Sequence, residues 1–144
     1  MLGKVAAAAS NAITYTDSNS FDWADALAFE GYVGGYSLET SFVMSAGARA
    51  MLKGIEKAAN TAQFICDAEN KINGYDVNVS GCVGNDKIYF GDWSHLICGT
   101  FGEGLEIVVN PFSYATYGDV EIVASLCADA VVDAPAAFVV ASKN

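Results

Sequence analysis

Up to about Gln63 the apolar residues of this chain recur at helical spacing, and beyond it they recur at every second position. No other feature constrains the fold as much. A period near 3.6 turns one stripe of a helix inward, and a period of two turns one face of a strand inward. In "DSNSFDWADALAFEGYVGGYS", Phe21, Trp23, Ala24, Leu27, Ala28 and Val33 follow the first period, which predicts a helix from about Asp22 to Tyr32. Asp17, Ser18, Asn19 and Ser20 are turn and cap residues ahead of it, and Asp22 and Asp25 stand in the first turn, where the helix dipole favours acids. Gly34 and Gly35 are expected to end it. "AGARAMLKGI" predicts a second helix, capped by Ser45, with Ala48, Met51, Leu52 and Ile55 inward. Short strands are expected at "AITYT" and "TSFVMS", and "GIEKAANTA" reads as loop.

After the change of period, "QFICD", "NKINGYDVNVS", "KIYFGDWS", "HLICGTF", "GEGLEIVVNPF", "GDVEIVASLCADAVV" and "AAFVVAS" read as strands. Asn73-Gly74 makes a turn, with Tyr75, Val77 and Val79 on one strand face beyond it. In the penultimate strand Val120, Ile122, Ala124 and Leu126 point one way and Glu121 and Val123 the other. The order is α+β: two helices early, packed on a mixed, largely antiparallel sheet built mainly from residues after Gln63. With 144 residues and no interior linker or repeat, a single domain spanning 1–144 is expected.

Charge narrows the function classes. Seventeen acids against seven bases leave a net charge of −10, which opposes a grip on nucleic acid. No apolar run approaches the roughly 20 residues of a membrane span. "MLGKVAAAAS" has too short an apolar stretch for a signal peptide and reads as mature sequence. Cys66, Cys82, Cys98 and Cys127 contain no C-x-x-C pair, so neither zinc nor a disulfide framework is indicated; reduced, buried thiols are expected.

The segment from Phe90 to Phe112, "FGDWSHLICGTFGEGLEIVVNPF", looks most like chemistry. His95 and Cys98 offer an imidazole and a thiol, but on a strand a separation of three puts them on opposite faces, so Cys98 is expected to fill core. Asp92 with Glu103, and Asp67 with Glu69, are candidate acid–base pairs whose simpler reading is solvated carboxylates. Gly102 and Gly104 flank an acid and lead into a strand, so a tight hairpin turn is expected rather than a phosphate loop. Trp93 and Phe112 are expected as packing anchors. No catalytic, cofactor or metal residue is assigned.

The same segment carries a resemblance. Gly91-Asp92-Trp93-Ser94, Gly104-Leu105-Glu106-Ile107, Asn110-Pro111-Phe112, Gly118 and Pro135-Ala136-Ala137-Phe138 occur in the order and spacing of the tailed-phage major capsid protein family, the Hong Kong 97-like shell fold. "INGYDVNVS" resembles that family's "NG-x-P-V-x-V-S" element, with Asp76 in place of proline; Asn110 stands where many members have aspartate. "TSFVMSAGARAMLKGIEKAANTAQFI" is similar to its strand–helix unit, and "SFDWADALAFEGYV" stands where it carries a helix. The resemblance implies a structural, non-enzymatic protein of a phage or prophage head. It implies other copies of the capsid protein as partners, pentamers and hexamers in the whole family, with no specific nucleic-acid recognition, no membrane and no cofactor. It further implies that the chain corresponds to the axial domain plus the last peripheral-domain strand, beginning after the family's N-terminal arm, extended loop and spine helix. It places the protein in the virion, after synthesis in the bacterial cytoplasm. Two rivals stand beside it: a nanocompartment (encapsulin-like) shell protein, and an unrelated binding module using Tyr32, Tyr36, Trp93, Tyr114 and Tyr117.

Overall fold

The computed structural model describes residues 2–16, 21–33 and 39–143. In chain order these form α1 (Leu2–Ala8), β1 (Asn11–Tyr15), α2 (Trp23–Tyr32), β2 (Thr40–Met44), α3 (Ala46–Leu52), β3 (Lys71–Ile72), β4 (Tyr75–Val79) and β5 (Lys87–Asp92). A single 3₁₀ turn, Trp93–His95, leads to the long strands β6 (Leu96–Asn110) and β7 (Glu121–Val132), and β8 (Phe138–Lys143) ends the order. The expected α+β class holds.

The helix near Asp22 forms because its start is closed by reciprocal bonds. The Asp22 carboxylate accepts from the Asp25 backbone N–H at 2.9 Å, and the Asp25 carboxylate accepts from the Asp22 N–H at 3.2 Å. Asp17, Ser18, Asn19, Ser20, Gly34 and Gly35 lie outside the described residues. The Ser45 hydroxyl caps α3, accepting from the Ala48 N–H at 3.1 Å. Ala48 and Leu52 face inward as expected. That helix ends at Leu52, earlier than its spacing suggests, and Ile55 packs on the core from the loop beyond. One helix was not expected: the alanine-rich start forms α1, which buries Val5.

Six strands form one mixed sheet in the order β1-β8-β5-β2-β4-β3. β2–β5, β5–β8 and β3–β4 pair antiparallel, and β1–β8 and β2–β4 parallel. Asn73 and Gly74 supply the positive φ angles, 50° and 87°, that the β3–β4 turn requires. The sheet is built mainly from residues after Gln63, which supply β3, β4, β5 and β8, although β1 and β2 also belong to it and β6 and β7 do not. Two expectations need correction. "QFICD" is not a strand. Its Ile65 and Cys66 N–H groups donate to the Ile55 and Leu52 carbonyls at the end of α3, leaving one bridge between Glu56 and Phe64. Gly102–Gly104 is not a hairpin turn. β6 runs straight through it, with Phe101 opposite Cys127 and Leu105 opposite the adjacent Leu126. The three residues between them form a bulge, with φ of 76° at Gly102 and 90° at Gly104.

Both faces of the sheet are covered. On one, Phe29 of α2 and Leu52 of α3 meet Phe42, Ile88, Phe90 and Val139. Phe42 and Phe90 stack at 4.3 Å between centroids, with Phe29 edge-on to both. On the other, Val5 of α1 packs with Tyr89, Phe138 and Val140, joined by Leu96 and Val132 from the roots of β6 and β7. Alternation along β5 and β8 explains the division, since Phe90 and Tyr89, or Val139 and Phe138, must point oppositely.

The thiols divide differently from expectation. Only Cys66 is buried, and burial pushes its thiol pKa up. Cys82, Cys98 and Cys127 are exposed. Cys98 and Cys127 lie on β6 and β7, and neither strand is covered along most of its length.

Candidate assembly surface

β6 and β7 leave the body together as a two-stranded antiparallel arm of twelve residue pairs. The family resemblance was carried by the segments flanking the arm, Gly91–Ser94 and Pro135–Phe138, and by segments within it, Gly104–Ile107, Asn110–Phe112 and Gly118. On the outgoing side, buried Asp92 accepts from the Ser94 N–H at 3.0 Å and the Ser94 hydroxyl at 2.7 Å, which turns the chain out of the sheet. The Trp93 indole packs edge-on against Phe138 at 5.5 Å and donates to the Ser41 carbonyl at 3.0 Å. On the returning side, Pro135–Ala137 makes another 3₁₀ turn back into β8. The two sides are clasped. The Asp133 N–H donates to the His95 carbonyl at 3.0 Å, and His95 Nδ1 lies 3.7 Å from Asp133 Oδ2.

The chemical-looking residues thus have structural employment. His95 faces Asp133, a partner 38 positions away that no local pattern reveals. Cys98 sits opposite Ala130 on the arm and lines a shallow groove with Lys4 and Asp129. Its expected place in the core is corrected, because β6 has already left the body there. Asp129 accepts from the Ala130 N–H at 2.8 Å and from Lys4 at 3.3 Å, and these contacts hold its carboxyl below the usual carboxylate range. That ion pair ties α1 to the arm. Asp92 is a buried turn cap, and the Glu103 side chain lies outside the described set. Asp67 accepts from the Lys71 N–H at 2.7 Å, while Glu69 lines an open groove with Glu39 and Asp76. Among the described residues no group of three His, Cys, Asp or Glu could hold a metal ion. No described helix is long and apolar enough to cross a membrane.

Trp93 is the expected anchor, but Phe112 is not: it is 85% exposed at the far end of the arm. The aromatic set expected of a binding module is scattered. Tyr36 lies outside the described residues and Tyr32 ends α2. Trp93 is at the root of the arm and Tyr114 and Tyr117 at its tip, about 40 Å away by strand rise.

The arm's own surface is the unusual feature. Of 18 exposed large hydrophobic residues described, 14 fall between Ile97 and Val131, so apolar exposure belongs to the arm rather than the body. Pairing assigns the faces. Beyond the bulge, Leu105 opposes Leu126, Ile107 opposes Ala124 and Val109 opposes Ile122, so one face is wholly apolar. The other carries Glu106 with Ser125, Val108 with Val123, and Asn110 with Glu121. On β7 the apolar face continues through Ala128 to Ala130 and Val132, which pack at the body. A face patterned for burial therefore runs out past the edge of the body.

Comparison with known proteins agrees with this shape. No curated protein matches the chain. Its fold is similar to the capsid of an empty GTA particle, at 19% identity and TM-score 0.67, with 92% of this chain and 47% of that one covered. It is similar to a chain of Gordonia phage Cozz, at 19% identity and TM-score 0.61, covering 97% and 51%. It is also similar to a virus-like particle from Pyrococcus furiosus, at 12% identity and TM-score 0.64, covering 99% and 60%. The chain spans about half the length of the capsid chains it matches. The model of the phage capsid family matches residues 2–143, nearly the whole sequence, and the chain belongs to that family.

Proposed function

We propose that this chain is a structural subunit of a phage-type head, present in the virion, that works by association with further copies of capsid protein and catalyses no reaction. The observation that carries this is the uncovered arm: a two-stranded ribbon is at best marginally stable in water by itself, and one with an apolar face calls for a covering surface. Family membership supports a shell as the source of that cover. The structural roles of His95, Asp92 and Asp67 support the absence of catalysis. The net charge of −10 supports a shell that leaves nucleic acid unbound. Axial-domain identity, with the last peripheral-domain strand, and pentamer or hexamer placement are parts of the same proposal. The nanocompartment alternative shares the fold, and the particle's contents separate the two.

The test is composition of particles. Nuclease-resistant particles would be purified on a density gradient from the cells that encode this chain and digested for mass spectrometry. Peptides from residues 1–144 are expected among the dominant proteins of a DNA-containing band. Recovery of the chain only from the particle-free fraction would overturn the reading, and recovery in DNA-free particles with an enclosed enzyme would favour the nanocompartment.

A further inference from the structure

We propose that the basic side of α3 on one copy of this chain docks against an acidic groove on the opposite sheet face of a second copy, so that copies join head to tail. This rests on the shell reading and names a pair of surfaces for it. Three observations select the contact.

The first is the placing of the bases. Arg49, Lys53 and Lys57 recur every four residues along α3 and just beyond it, and Glu56 is the sole acid among residues 46–57. A spacing of four keeps Arg49 and Lys53 on one side of the helix. This segment is net positive in a chain whose charge is −10. Among the described residues none of the three bases enters an ion pair, whereas Lys4, Lys71 and His95 do. Glu56 is turned to its own loop, where it accepts from the Asn60 N–H at 3.1 Å, and Lys57 is held over the Trp23 ring at 4.4 Å.

The second is the placing of the acids. Glu39, Glu69 and Asp76 line one open groove, and Glu69 and Asp76 are exposed. Lys71 lies 3.9 Å from Asp76, so one base stands among three acids. Phe42 and Val77 pack beneath α2 and α3, so Ser41, Val43, Asp76 and Asn78 of the same paired strands point the other way. Two contacts agree with that: the Asn78 amide donates to the Ser41 hydroxyl at 3.2 Å, and Val43 packs with the apolar group around Val5.

The third follows from the other two. Bases and acids lie on opposite faces of one sheet, so they cannot neutralise each other within a copy. A two-fold contact through either face would set like charge on like. A head-to-tail contact sets unlike on unlike, uses two different surfaces, and closes into a ring where the rotation allows. With −10 on every copy, it is also the approach that presents bases to an acidic neighbour.

The test uses the full 144-residue chain in sedimentation equilibrium from about 10 μM to 1 mM, a range that brackets a weak association. Salt is set at about 0.15 M, where a Debye length of about 8 Å screens whole-copy repulsion more than contact pairs. The expected result is a weight-average mass rising above one chain. Lys53→Glu and Glu69→Lys are each expected to weaken association roughly tenfold or more. The second variant lowers the net negative charge, so repulsion alone would make it associate better. An equimolar mixture of the two variants is expected to regain association, because the intact helix side of one meets the intact groove of the other. Lys143→Glu, the same charge change as Lys53→Glu but on β8, is expected to stay within about twofold of the native chain. Far-UV circular dichroism checks folding, and Arg49→Glu or Asp76→Lys replaces a variant that does not fold. A monomer at every concentration overturns the proposal, as does a mixture of variants that stays monomeric. So does retention of a labelled DNA duplex by the native chain that Lys53→Glu abolishes, which would assign the bases to nucleic acid. The first two outcomes leave the shell reading standing, because that reading fails only on the composition of particles.

Discussion

Gly91 shows how closely one residue is bound to this fold. It opposes Phe138 in the β5–β8 pair, where the chain returns from the arm. A Cβ there would stand 2.4 Å from the Ala137 carbonyl oxygen and 3.0 Å from Phe138 Cα, both backbone atoms that no rotamer change can move. Gly91→Ala is therefore expected to cost about 3 kcal/mol, the upper end for overpacking, and to lower Tm by about 10 °C. Gly31 is the control. It lies in α2 with nothing within 4 Å of the added carbon, so Gly31→Ala should stabilise by up to about 1 kcal/mol through helix propensity. Thermal denaturation of the two variants checks the opposite signs. Gly91 was legible as part of the "GDWS" series, but its reason was not. The clash is with residues more than 40 positions on, brought over it by the turn at Pro135–Ala137.

Among the elements, the arm was read correctly in its alternation and wrongly in its course. Ile122, Ala124 and Leu126 do share a face. The pattern of Gly102 and Gly104, flanking an acid and leading into a strand, matches a tight turn, and both glycines do have the positive φ that such a turn uses. A bulge needs the same backbone freedom, so local chemistry cannot separate the two. The register with β7 does. It also makes a prediction. Removing residues 102–104 leaves Phe101 next to Leu105, with Cys127 and Leu126 already adjacent across from them, so the ladder should close without a slip of face. The deletion variant should fold, and amide exchange in β6 and β7 should slow about tenfold around the junction, in line with a gain of roughly 1 kcal/mol from added ladder bonds. Faster exchange throughout the arm would mean that the bulge is required for its twist.

For the whole molecule the decisive quantity is charge. Each copy carries −10, so copies brought together at low salt repel one another. The 144-residue chain alone is therefore expected to remain a monomer or small oligomer, with association favoured by raised ionic strength. Light scattering and negative-stain microscopy at low and high salt check this. Closed shells tens of nanometres across from this chain alone would show that its contacts suffice and that its placing as axial domain plus one strand is wrong.

The sequence by itself determined the class of the fold, most of its elements and its family. Period, capping residues such as Asp22 and Ser45, and the Asn73-Gly74 turn act over a few residues, so they can be read in order along the chain. It also determined that one face of β7 is apolar. Only the tertiary structure decided what that face meets. An alternating strand looks the same whether its apolar side lies in a core or projects beyond it, because alternation encodes orientation and not cover. The Asp92–Ser94 turn and the clasp between His95 and Asp133 direct β6 and β7 away from the sheet, and a pairing that spans 38 residues leaves no local trace.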